Sequence, residues 1–194
     1  MNTTFLETVL RRRSIRRYQD RSVPPAEIEK VLDIASSAPS AHNSQPWHFV
    51  VITSPQARQE LVRAMTTAWD RTMKARGIPS SIRGKRTARN LDLVGNAPVI
   101  VVPYLVQARE GREERTMALQ SVAVATGYLL LAATARGLGA CWYAAPLFCP
   151  EVVNRCLCVR TDWAPQALVT LGYPAESPPP RPRRSIQKMV THAQ

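Results

Sequence analysis

The sequence predicts a single α+β domain, and three observations carry that expectation. The chain has 194 residues, the size of one domain with a sizeable core. Hydrophobic residues make up 45% of it and charged residues 21%, the balance of a soluble globular fold and not of a collagen-like, mucin-like or wholly disordered chain. Apolar strand-like runs are interleaved with helix-length segments over residues 1–194, with no internal repeat and no second-domain boundary.

Taken in order, residues 6–12 read as a short first helix. Pro24-Pro25 opens a second helix through about Ser37, with Ile28, Val31, Leu32 and Ala35 at helical spacing. Residues 38–46 form a polar loop, and 47–52 an apolar, β-branched strand with Trp47 and Phe49 expected in the core. Ser54-Pro55 is an N-cap followed by proline at the first helical position, starting a helix through about Lys74. Residues 75–95 are basic and carry Gly77 and Gly84, so a mobile excursion or lid is expected there. Residues 98–105 (PVIVVPYL) are a buried strand and 107–115 a charged loop. Residues 116–135, without a charge, make a helix that ends at Arg136-Gly137. A strand at 140–144, a helix at 150–157, a last strand at 167–172 and an extended tail over 175–194 complete the chain.

Several function classes are excluded by composition. Cys141, Cys149, Cys156 and Cys158 are too few and too clustered for a disulfide scaffold, no Cys-x-x-Cys occurs, and only His42, His48 and His192 are present, so no metal site is expected. Cys141 and Cys149 read as small core residues, and Cys156 and Cys158 as lying on or beside a short helix. Residues 1–10 lack an apolar signal core and run into Arg11-Arg12-Arg13, which fits a cytoplasmic protein. The uncharged stretch 116–135 has the length of a bilayer span, but it is rich in alanine and contains Thr116, Gln120, Ser121, Thr126 and Thr134. It reads as the central helix of a core or dimer, with no membrane involved. Gly137-Leu-Gly139 lacks the third glycine of a dinucleotide fingerprint, and Gly84-Lys85 lacks the P-loop spacing.

The formal net charge of +12 points to an anionic partner. The basic residues concentrate within 11–21, 58–89 and 181–188. A solvated surface with a few phosphate ligands is the preferred reading; a basic nucleic-acid-binding protein is a remote alternative.

Three segments carry chemistry. In Arg12-Arg13-Ser14-Ile15-Arg16, guanidinium forks and a serine hydroxyl match a phosphate, and an extended backbone would project residues 12, 14 and 16 to one side. Ala38-Pro39-Ser40-Ala41-His42-Asn43-Ser44-Gln45-Pro46-Trp47 offers the amides and hydroxyls that a flat heteroaromatic ring would need along its edge; His42, alone, reads as structural. Arg181-Pro182-Arg183-Arg184 holds positive charge on a proline-stiffened tail.

These three segments, in this order, resemble the FMN-dependent nitroreductase family. The resemblance implies a nitroreductase-like fold, a mostly antiparallel sheet flanked by helices in an intertwined homodimer, with FMN in each interface cleft. It implies NADH or NADPH as reductant, hydride transfer through flavin N5 in a ping-pong cycle, and no side-chain nucleophile. By the same resemblance, Arg12, Arg13, Ser14 and Arg16 would hold the FMN phosphate and ribityl chain. Pro39, Ser40, Ala41 and Asn43 would reach the partner subunit's flavin. Arg181 and Arg183 would lie near the pyrimidine edge and the phosphate. Tyr143, Ala144 and Ala145 align with the loop whose backbone amide donates to flavin N5.

Residues 137–174 (GLGACW, PLFC, DWAP and GYP) are similar to the C-terminal nitroreductase-like domain of the FbiB proteins. That likeness implies reduction of the dehydro precursor of the deazaflavin coenzyme F-420, an anionic acceptor suited to a basic protein. The loop Ala41-His42-Asn43-Ser44-Gln45 is closer to general nitroreductases, which implies a nitroaromatic or quinone acceptor instead. A flavin storage or sensor module is a third alternative.

Overall fold

The computed structural model describes residues 4–106 and 111–193. Helix α1 (Phe5–Arg11) starts in a capping box: the Glu7 amide donates to Thr4 Oγ1 at 3.3 Å and the Thr4 amide to Glu7 Oε2 at 2.9 Å. Helix α2 (Pro25–Ser36) begins at the expected proline, and strand β1 (Trp47–Ile52) comes after the polar loop. The N-cap at Ser54 starts helix α3 (Pro55–Ala75), with the Ser54 hydroxyl accepting from the Ala57 amide. Then come α4 (Ser80–Gly95), β2 (Val99–Leu105), α5 (Arg112–Ala135), β3 (Gly139–Tyr143), α6 (Pro150–Cys156), β4 (Ala164–Pro165) and β5 (Leu168–Gly172).

The strands pair in the order β1-β2-β5-β3, every neighbour antiparallel, and β4 pairs the end of β2. Strands β2 and β5 are central, and every residue in them is buried. Alternation along β2 divides the core between two faces. Val99 and Val101 point to one face, where Val31 and Ala35 of α2 and Leu129, Ala132 and Ala133 of α5 cover them. Ile100, Val102 and Tyr104 point to the other, under Leu61, Val62 and Met65 of α3, Val94 of α4 and Val153 of α6. Pro103 lacks an N–H, and it falls where the neighbour of β2 on one side changes from β5 to β4.

The structure departs from the expectations at several points. Residues 80–95 of the expected excursion form a helix, joined to α3 by an Arg83–Asp70 ion pair at 2.8 Å; Gly84 sits inside it with open space around, lowering helix propensity without marking a turn. Helix α5 begins at Arg112, one turn before the uncharged stretch, with Glu113 and Glu114 in its first turn, where acidic side chains favour the helix dipole. Residues 107–110 of the expected charged loop lie outside the described residues. Trp47 and Phe49 do pack against the core, but only half-buried, because β1 is an edge strand. The short strand β4 was not expected.

By length and composition α5 is apolar enough to cross a membrane, but its Ala118, Val122, Ala125, Leu129 and Ala132 are buried at helical spacing against the sheet and α2. It is a core helix. Among the described residues, the tail beyond β5 has no helix or strand apart from one turn at Ile186–Lys188.

Candidate functional site

The arginine segment is extended, and the reason lies at the end of α1. Arg13 Nη1 donates to the carbonyls of Leu10 at 2.6 Å and Arg12 at 2.9 Å, covering acceptors that the last helical turn leaves open. Past Arg12 the chain runs beside β3: Ser14 bridges Ala140 in parallel, and the Ile15 amide donates to the Ala140 carbonyl at 3.0 Å. Ile15 is buried, so Ser14 and Arg16 are turned to the opposite side, as the period of two requires. Tyr18 locks the segment, its hydroxyl donating to the Ile15 carbonyl at 2.6 Å and meeting Thr170 Oγ1 at 2.7 Å.

The tail returns to the same place. Arg12, Arg13, Ser14, Arg16, Arg181 and Arg183 line one cavity of about 480 Å³, walled by Pro178–Pro180 and the end of α1. Among the described residues no carboxylate lines it, and none of these five arginines is in an ion pair. Guanidinium groups gathered without acidic partners repel one another, so the arrangement is stabilised by an anion among them. The donor set fits a phosphate group. Two of the three chemistry-bearing segments thus meet within one chain.

The third does not join them. Pro39, Ser40, Ala41 and Asn43 are outside the arginine cavity; their loop is tied to α5 by the Ala41 amide donating to Ser121 Oγ at 3.3 Å. His42, Asn43 and Gln45 all adopt left-handed backbone, with φ of 54°, 53° and 46°. Such conformations cost of order 1 kcal/mol or more for residues other than glycine. They are held by the Gln45 amide donating to Ser40 Oγ at 3.0 Å and Gln45 Nε2 to Asn43 Oδ1 at 3.1 Å. The side chains from His42 to Gln45 are exposed, and His42 takes no core position.

Tyr143, Ala144 and Ala145 line a second cavity, of about 290 Å³, closed by Met65 and Trp69 of α3, Val94 of α4 and Phe148. Thr66 and Asn90 are polar residues on this apolar wall, and no charged residue lines it. The Tyr143 hydroxyl is buried without a hydrogen-bond partner, and burial pushes its phenol well above the usual range. The Cys141 thiol adds to that rise and the Arg16 charge opposes it, both less than burial does. Burial also raises the Cys141 thiol, and Cys149 to about 11; both are inert core thiols. All four cysteines are free, and no metal-binding cluster occurs among the described residues. Sequence reasoning missed Tyr18 and Gly139, which hold the ribbon, and Trp69 and Phe148, which close the second cavity. Only the small residue at 139 beside a strand start could have signalled any of them.

Residues 9–173 match the nitroreductase family model. The chain belongs to the nitroreductase family. A Methanothermobacter thermautotrophicus protein described as an NADH dehydrogenase/NAD(P)H nitroreductase is 31% identical over 175 residues, covering 89% of this chain and 78% of its own. An NADH dehydrogenase of Thermus thermophilus is 31% identical over 216 residues, covering 93% and 92%. A solved structure from Desulfovibrio desulfuricans, described as a nitroreductase in complex with FMN, is 25% identical with a TM-score of 0.77 and covers 100% of this chain and 99% of that one. The antiparallel sheet flanked by helices is the nitroreductase-like fold.

Proposed function

We propose that this protein is an FMN-dependent NAD(P)H oxidoreductase that reduces a small, flat, uncharged acceptor such as a quinone or nitroarene. The nitroreductase family is one of FMN oxidoreductases, and the relatives include an NADH dehydrogenase and an FMN-bound structure. The observation that carries the reading is the cavity in which five arginines and Ser14 converge with no acid among them.

When bound, FMN supplies a two-electron carrier between nicotinamide and acceptor. The chain's own residues bind and orient it. Arg12, Arg16 and Ser14 would grip its phosphate, with Arg183 closing from the tail. Arg181 would stand near the pyrimidine edge, where a cation favours the reduced, more negative cofactor. Arg13 is partly engaged at the end of α1 and contributes mainly charge. The backbone at Tyr143–Ala145 would offer a donor to flavin N5.

The loop at Pro39, Ser40, Ala41 and Asn43 would serve the cofactor of a second copy. Its separation from the arginine cavity of its own chain supports this, as do the exposed Phe5, Leu6 and Leu10 on α1 and Val124 and Tyr128 on α5, which need an apolar partner surface. A homodimer is the assembly proposed.

The uncharged wall of the second cavity favours a neutral aromatic acceptor. The narrower reading, reduction of the anionic dehydro precursor of coenzyme F-420, draws on the exposed Lys85, Arg86 and Arg89 of α4, but no cation of α4 lines the cavity.

The test is a visible absorption spectrum of the purified protein with and without added FMN, then with NADPH under nitrogen. A bound flavin that bleaches and is reoxidised by a quinone or nitroarene is expected. A protein that takes up no FMN overturns the reading. Bleaching followed by reoxidation only with the dehydro precursor would transfer the assignment to the deazaflavin pathway, and bleaching with neither NADH nor NADPH would leave a storage or sensor module.

A further inference from the structure

Where the arginine ribbon and the arginine tail meet, a carboxylate bridges them. The 17–19 stretch pairs with the 173–175 stretch: Tyr18 bridges Pro174 antiparallel, the Gln19 amide donates to the Tyr173 carbonyl at 2.9 Å, and the Ala175 amide to the Arg17 carbonyl at 3.0 Å. Beyond Ala175 the backbone ladder stops, and a side chain takes over. Glu176 Oε1 accepts from the Arg16 amide at 2.5 Å and from the Arg17 amide at 3.1 Å. One oxygen thus satisfies two adjacent N–H groups that the departing main chain no longer reaches.

The anchor sits just ahead of a stiff segment. Pro178-Pro179-Pro180 is the stiffest stretch the sequence offers, and a polyproline rod advances about 3.1 Å per residue. A tail pinned at 176 therefore delivers Arg181 and Arg183 to a set place, whereas a tail released at 176 would swing them away. The carboxylate also stays out of the anion cavity. Glu176 lines a neighbouring cavity of about 380 Å³, and Pro178–Pro180 and Arg13 border both.

We propose that Glu176 is a positioning residue for the phosphate cradle, acting as a two-amide acceptor that fixes the tail arginines against Arg12 and Arg16. It rests on the cradle being the FMN phosphate site. A structural role alone would weaken every ligand alike; a positioning role for the cradle weakens the phosphate-bearing flavin selectively.

The experiment compares dissociation constants of FMN and riboflavin by fluorescence titration in wild type and in Glu176→Gln, Glu176→Asp and Glu176→Ala. Gln keeps an oxygen acceptor of the same reach, so its FMN-over-riboflavin preference should stay within about twofold of wild type. Loss of alignment for charge-assisted contacts should cut that preference about tenfold or more in Ala, with riboflavin affinity changed far less. Asp, one methylene short, should fall between. Hydrogen exchange at the Arg16 and Arg17 amides gives a second readout: protection retained in Gln and reduced in Asp, which serves if Ala does not fold. An unchanged preference in Asp and Ala overturns the inference, and so does a Gln variant that falls with Ala. A wild type with no preference for FMN over riboflavin would overturn the cradle itself, and this inference with it.

Discussion

Ile15 stands directly on Gly139. A Cβ placed on that glycine would lie 2.7 Å from both Cβ and Cγ2 of Ile15, closer than atoms at a fixed backbone tolerate. The arginine ribbon lies against the start of β3 only because residue 139 has no side chain. Gly139→Ala should therefore lift the ribbon at Ile15, with an overpacking cost of about 1–3 kcal/mol. Urea unfolding is expected to show that loss, and FMN titration a weaker complex in the same variant. Full retention of both stability and affinity would mean that the ribbon can shift without consequence for the cradle.

Arg12 and Arg13, adjacent in sequence, should behave differently when truncated. Arg12 makes no side-chain hydrogen bond among the described residues, whereas Arg13 covers two carbonyls at the end of α1. Arg12→Ala removes a charge-assisted contact worth roughly 1.5–3 kcal/mol. That is about tenfold to a hundredfold in FMN affinity, with the melting temperature of the FMN-free protein unchanged. Arg13→Ala also lowers the melting temperature of the FMN-free protein by roughly 2–4 °C, the consequence of losing about 1 kcal/mol of helix-end hydrogen bonding. Calorimetry of both FMN-free variants, paired with flavin titration, separates the two roles.

One contribution to acid stability should come from an ion pair between α2 and the end of α5. Arg136 grips Glu27 with both ends of its fork, Nε to Oε2 at 2.6 Å and Nη2 to Oε1 at 2.9 Å, and Lys30 adds a third contact at 3.0 Å. Hydrogen bonds from Arg136 first, then from Lys30, push the Glu27 carboxyl down to about 2 from 4.5. The folded state thus binds this proton less readily than the unfolded chain. The stabilisation is complete above pH 4.5 and is lost as the pH falls through about 2. Arg136→Met should lower stability near neutrality and flatten the acid limb over that window. Urea midpoints measured from neutral to strongly acid pH check it; an acid limb as steep as that of the wild type would place the titration elsewhere.

Much of this fold was legible because local signals agreed with burial. Ser54-Pro55 marked the start of α3, the run PVIVVPYL read as a buried strand, and Arg12, Ser14 and Arg16 line one cavity, though Arg13 lines it too. The misreadings have physical causes. Gly84 and the basic residues around it suggested an excursion, yet α4 is anchored by Val94 in the core and by the Arg83–Asp70 pair, contacts no local pattern reveals. Trp47 and Phe49 do pack on the core, but strand order decides the degree of burial, and β1 lies at an edge. In the candidate site, charge made the arginines visible. Glu176 was not, because its role depends on where the ladder between 17–19 and 173–175 ends. The left-handed backbone at His42, Asn43 and Gln45 was also hidden: His and Asn visit it more often than most residues, but Gln does not, and no local pattern calls for three such positions in one loop.

Phe148 offers a test of the acceptor cavity that spares the core. Its side chain helps to close the space beside Ala144 and Ala145, yet it is 60% exposed, so truncation opens little buried volume. Trp69 lines the same space from α3, and together they present aromatic surface to whatever enters. An aromatic contact of this kind is worth about 0.5–1.5 kcal/mol. Phe148→Ala should therefore raise KM for a quinone or nitroarene about two- to tenfold, with a smaller effect on kcat. The same variant should discriminate less between aromatic acceptors and a non-aromatic oxidant such as ferricyanide. Steady-state kinetics with both acceptor types make the comparison: an equal loss on both would place the aromatic acceptor outside this cavity.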